Sequence, residues 1–230
     1  MTIPTDTQQL SPNNKNLFAP IDSLQYRAIG RIWGHYVPSA ENIRKGELIT
    51  TDGVIINVNL MNQMVKLVAH HLDLSSDYLW TAYPKTPQND LEIGLYLSLI
   101  SVKVVPNYTE IIKTELQSQA DIFSIQGEVI YQDFELGIVT VKIRRTPRTE
   151  NDNPPDFKLR LLGFLPPKSA GHFWHLHVQR VGTNLVIQSG ECIKFMRQKQ
   201  SKAKKLSTPP SENNHESVSA NPTLQITESV

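Results

Sequence analysis

Between residues 139 and 178 the apolar and polar positions alternate with a period of two. In "VTVKIRR", Val139, Val141 and Ile143 alternate with Thr140, Lys142 and Arg144. In "FKLRL", Phe157, Leu159 and Leu161 alternate with Lys158 and Arg160. In "FWHLHVQ", Trp174, Leu176 and Val178 alternate with Phe173, His175, His177 and Gln179. Successive strand side chains point to opposite faces, so each apolar set predicts the inward face of a half-buried strand. The other phase predicts a shared wet face carrying Lys142, Arg144, Lys158, Arg160, His175 and His177, with Phe173 among them.

These segments belong to five β runs, "FSIQGEVIYQDF", "GIVTVKIRR", "FKLRLLGFLP", "GHFWHLHVQR" and "NLVIQSGEC", at the short regular spacing of a small barrel. The first half reads differently. "YRAIGRIWGHYV" predicts a strand, and "GELITTDGVIINVNL" a hairpin around Asp52-Gly53. In "LMNQMVKLVAHHLDL", Met61, Met64, Val65, Val68 and Leu72 recur at helical spacing, with Asn59 placed to cap them. Strands follow around 78–83 and 91–104. Three strands, a helix and two strands is the element order of an OB-fold. The predicted fold class is mainly β with one main helix: two small OB-like β-barrel units, at 23–105 and 122–194. A connector at 106–121 joins them and carries one short helix near 109–117. "YLWTAYPKT" (78–86) echoes "LLGFLPPKS" (161–169), which suits either a diverged duplication or a strand exit that arose twice.

Composition alters the picture mainly at the ends. Residues 1–22 and 195–230 are rich in Ser, Thr, Asn, Gln and Pro, too polar to bury the surface that ordering requires, and disorder is predicted for both. Lys194, Arg197, Lys199, Lys202, Lys204 and Lys205 form a basic tail with no acid among them. The 230 residues carry a formal net charge of only +1, so any electrostatic recognition must rest on local patches. The single cysteine, Cys192, excludes an intramolecular disulfide and a cysteine-rich zinc site, and reads as a small packing residue. A polar N-terminus, and a longest apolar stretch interrupted by Glu92 and Lys103, point to a cytoplasmic protein without a membrane segment.

The wet face, extended by Arg145 and Arg148, offers cations for phosphates and a flat ring for bases. Two strand exits place aromatics beside lysines: Trp80 and Tyr83 with Lys85, and Phe164 with Lys168. For Trp80 and Phe164 the competing expectation is that they plug barrel ends. His175 and His177, two apart on a strand, could share a metal, but no acid follows them at ligand spacing. No catalytic residue, metal or cofactor is predicted, since no serine elbow or phosphate-cradling glycine loop is present. The leading expectation is a non-enzymatic binding module that contacts RNA or single-stranded DNA through the basic face and the tail. The alternative is a protein–protein adaptor meeting an acidic protein surface, and the third is a metal-dependent enzyme built on His175 and His177.

The stretches "GFLPPKSAGHFWHLHVQR", "RIWGHYVPS" and "WTAYPKT" resemble a family of hypothetical cyanobacterial proteins. The likeness spans most of residues 26–190. It implies a cyanobacterial origin and carries over no activity or site residue.

Overall fold

One twelve-residue strand, β1 (Arg27–Pro38), organises the first half of the computed structural model, which describes residues 24–87, 94–105, 109–145, 149, 152 and 154–196. Its C-terminal part pairs with β2 (Lys45–Thr50) and its middle with β4 (Tyr78–Lys85), both antiparallel. β3 (Ile55–Leu60) pairs with β2 across the predicted hairpin, where Gly53 takes the positive φ of 75° that the turn requires. β5 (Tyr96–Lys103) runs parallel to β3 and antiparallel to β4. The order β1-β2-β3-β5-β4 returns to β1 and closes a five-stranded barrel.

The second half repeats this topology. β6 (Ile122–Asp133) pairs with β7 (Ile138–Ile143), and β7 with β8 (Phe157–Leu162). β10 (Asn184–Phe195) meets β8 in parallel at one bridge, and β9 (His172–Val181) links β10 to β6. The order β6-β7-β8-β10-β9 is the first barrel's order again, parallel third–fifth contact included. Both are OB-folds. The echoed phrases fall on β4 and on the exit of β8, which are not equivalent strands, so the repeat in topology is not what they record.

The barrels are joined strand to strand. Arg27–Arg31 of β1 pairs with Ile122–Gln126 of β6, and buried residues of both halves form one continuous core. Gly30 permits this seam, because a Cβ there would stand 2.1 Å from the ring of Phe123. A second tie is ionic. Arg180 continues the inward phase of Trp174, Leu176 and Val178, and is 5% exposed. It donates a forked pair of hydrogen bonds to Asp121, 2.6 and 2.9 Å, and two of 3.1 Å to Asp52 at the β2–β3 turn of the other barrel. A planar guanidinium suits two carboxylates in this way.

The main helix, α1 (Asn62–His71), buries Met64 and Val68 and is capped by Met61 without a side-chain hydrogen bond. Asn59 belongs to β3, so the expected cap does not form there. α2 (Glu110–Ser118) starts at Thr109, whose hydroxyl accepts from the Ile112 N–H at 3.4 Å, and lays Leu116 against Trp33 and Leu79. Cys192 is exposed on β10 rather than packed inside. Among the described residues no helix is long and apolar enough to cross a membrane.

Candidate functional site

The inward phases of β7 and β8 are as expected: Val139, Val141, Ile143, Leu159 and Leu161 are buried. The outward phase does point to one surface, with Lys158, Lys142, Glu128 and Phe173 in register across four strands. That surface is not an open cationic field. Lys142 makes an ion pair with Glu128, whose side chain is largely buried. Phe173 is 1% exposed, covered edge-on by Tyr26 with ring centroids 5.1 Å apart, so it offers no stacking platform. His175 is also buried, its Nε2 3.0 Å from the Ser124 hydroxyl, which in turn accepts from Arg27 Nη2 at 2.9 Å. Burial, then the neighbouring His177 and Arg27, lower its pKa, against the opposing pull of Glu191. His175 and His177 lie ring to ring at 4.7 Å. Among the described residues no three His, Cys, Asp or Glu side chains gather as a metal-binding group.

The physical reason is the position of β6. Paired with β1 on one edge and β9 on the other, it has both phases buried over residues 123–129, and of its polar phase Ser124 and Glu128 find partners in the covered layer while, among the described residues, Gln126 Oε1 does not. "FSIQGEV" does show that phase, and an acid in step with Lys142 was the signal available for the ion pair.

The remaining basic residues gather elsewhere. A groove of about 680 Å³ lies between the barrels, walled by the end of β4 on one side and the exit of β7 on the other. Tyr83 and Lys85 come from the first barrel, Arg144 and Arg145 from the second, with Tyr26, Arg27 and Phe157 in the floor and walls. Arg144 lies 5.3 Å from the Tyr26 ring centroid and 4.0 Å from Asp156; Arg145 lies 5.4 Å from that of Phe157. Both guanidinium groups are thus held on aromatic faces, a geometry that also fixes them for a ligand. Lys85 has its pKa lowered by burial and then by the charge of Arg145. Two cations from different barrels are thus brought together in one groove. Arg27 also lines the groove, and among the described residues its buried Nε has no hydrogen-bond partner. Asp152 also lines it.

Tyr83 is 42% exposed, as a platform should be. Trp80 is wholly buried and donates from Nε1 to the Gly34 carbonyl at 2.8 Å, so it packs in the core of the first barrel and is not the exposed platform expected. Phe164 is exposed and lies over Gly137 at the β6–β7 turn, away from the groove, and Lys168 is exposed in the turn before β9. Arg160 lies by the exit of β4, its backbone N–H donating to the Thr86 hydroxyl at 2.9 Å. Lys194 ends β10. Arg148, Arg197, Lys199, Lys202, Lys204 and Lys205 lie outside the described residues, as do residues 1–22. Tyr26 and Arg27 were missed because a strand's first residues give no period by which to assign a face.

With this geometry in place, comparison identifies the halves. Residues 28–110 match the family model for the PatR RNA-binding protein, N-terminal OB-fold domain. Residues 125–194 match that for the cyanobacterial OB-fold-like RNA-binding domain, C-terminal. Among solved structures, a deletion variant of the single-stranded DNA binding protein from Thermus aquaticus is 7% identical at a TM-score of 0.41, over 78% of this chain and all of that one (100%). The wild-type protein is 8% identical at 0.41, over 74% and 94%. Likeness at that level is too distant to bear on fold or ligand. No curated protein matches the chain.

Proposed function

We propose, for a chain that carries in order the two OB-fold domains of this cyanobacterial family, that it is a nucleic-acid-binding module and that the groove between its barrels is where RNA or single-stranded DNA is held. Lys85, Arg144 and Arg145 meet backbone phosphates, and Tyr83 offers its ring to a base. The observation that carries this reading is the approach of Lys85 and Arg145: each barrel contributes a cation to one groove, where burial and the charge of Arg145 disfavour the Lys85 ammonium until an anion arrives. The basic tail adds further phosphate contacts from outside the described residues.

The test is binding of a mixed-sequence single-stranded oligonucleotide, followed by fluorescence anisotropy from about 50 to 200 mM salt. Lys85→Gln with Arg145→Gln is expected to flatten the log–log salt dependence by about 1.4, since each single-strand phosphate contact contributes about 0.7. Tyr83→Ala is expected to weaken binding about tenfold at every salt concentration. Unchanged affinity and slope in a folded double variant would remove the groove from the reading.

The adaptor reading has one observation of its own. Phe134, Leu136 and Phe164, each more than half exposed, crowd the far end of the second barrel, with Phe164 over Gly137. Partners retained after nuclease treatment, and lost with Phe134→Ser and Phe164→Ser, would favour it.

A further inference from the structure

Resting on the groove reading, we propose that the outward row Tyr96, Asn57 and Glu47 of the first barrel is a base-reading subsite, favouring bases with an exocyclic amino group over uracil and thymine. The row begins where the groove ends. Lys85 pairs with Tyr96, Tyr96 with Asn57, and Asn57 with Glu47, so four side chains stand in line across four strands, about 4.8 Å from one to the next. All four are exposed, while the alternate row Pro84, Leu97 and Val58 is buried. The surface depressions follow the same line. The groove shares Lys85 and Ser98 with a small hollow of about 280 Å³, and that hollow shares Asn59 and Tyr96 with a broader one of about 670 Å³. A strand held at Lys85 therefore has a continuous path over Tyr96 and on to Asn57 and Glu47.

The chemistry changes along this path. The groove is cationic. The row beyond it has one exposed ring, a side-chain amide and a carboxylate, with Asn59 and Lys45 alongside. Glu47 repels phosphate, so the backbone cannot run over it. A carboxylate accepts hydrogen bonds from the amino group of cytosine or adenine, or from the N–H edge of guanine. Uracil and thymine present carbonyl oxygens around a single N–H and are repelled. Tyr96, 45% exposed, supplies the stacking face that would splay a base toward the row.

Hydrogen-bond accounting supports the assignment. Nearby asparagines are spent within the fold: the Asn42 side chain accepts from the Arg44 N–H, and that of Asn62 accepts from the Arg44 guanidinium. Asn57 and Glu47 make no side-chain hydrogen bond or ion pair among the described residues, although each points outward from a regular strand. Their capacity is available to a ligand.

The experiment compares oligocytidine and oligouridine of equal length at one salt concentration, with wild type, Glu47→Gln, Asn57→Ala and Lys85→Gln. Wild type is expected to prefer cytidine by fivefold or more, the discrimination a good base contact supplies. Glu47→Gln and Asn57→Ala should each remove most of that ratio, and Lys85→Gln should weaken both ligands equally and leave the ratio intact. Neither variant removes an internal contact, and thermal melting checks that both remain folded. Salt-dependent binding with no cytidine preference, or a preference that survives both substitutions, overturns the subsite and leaves the groove standing. Absence of salt-dependent binding to either oligomer overturns both.

Discussion

The outer face of the second barrel and the groove between the barrels hold similar side chains under opposite conditions. On the outer face Lys142 has Glu128, His175 has Ser124, and Phe173 has Tyr26. In the groove Lys85 faces Arg145, and among the described residues Arg27 Nε has no acceptor. On the first surface Lys142 and His175 each have a partner of their own, whereas the second brings cations from both barrels together beside Asp152 and Asp156. A cation's position on a wet face is therefore a poor guide to ligand binding until its partners are known.

The largest expected effect separates the two in binding. Lys85→Glu with Arg145→Glu should lower oligonucleotide affinity on the order of 100-fold, while Lys142→Glu with Lys158→Glu changes it less than about threefold. Equal losses would mean that the outer face binds after all, and the contrast fails. Stability should move the other way. Lys142→Glu places two carboxylates side by side in a mostly buried layer and is expected to cost about 2 kcal/mol in urea denaturation. Lys85→Met relieves a repulsion and should cost nothing, or stabilise by less than about 1 kcal/mol.

A pH scan sharpens the same contrast. The folded pKa of His175 lies below its unfolded value, chiefly through burial. Below the ordinary imidazole pKa of about 6.5 the unfolded chain takes up a proton that the folded chain refuses, so stability is full above that pH and falls as pH drops toward the folded pKa. His175→Gln should flatten that slope in denaturation midpoints measured between pH 7 and the acid side; an unaltered slope would assign it to other groups. The smallest effect belongs to Arg144→Ala, which loses a partly exposed cation–ring contact and should cost about 0.5 kcal/mol.

Much of the fold could be read in one dimension. The period of two in 139–143, 157–161 and 174–178 named the inward residues correctly, and the order of strands and helix named the barrel type. Both are local: alternation follows from strand geometry, and Asp52-Gly53 from turn geometry. The groove was only half legible. Tyr83, Lys85, Arg144 and Arg145 were each marked, but as members of two separate surfaces more than fifty residues apart.

What the sequence alone determined was which side chains of β7, β8 and β9 would face the core, because that depends only on neighbours two residues away. What the tertiary structure decided was which of the remaining side chains would be covered. β6 became a shared wall when Arg27–Arg31 paired with it, and the wet face of β9 was then closed by Tyr26 and Arg27. The same pairing set the end of β4 opposite the exit of β7, and the two cations met. Burial and charge proximity are properties of the packed assembly, and no period along the chain encodes them.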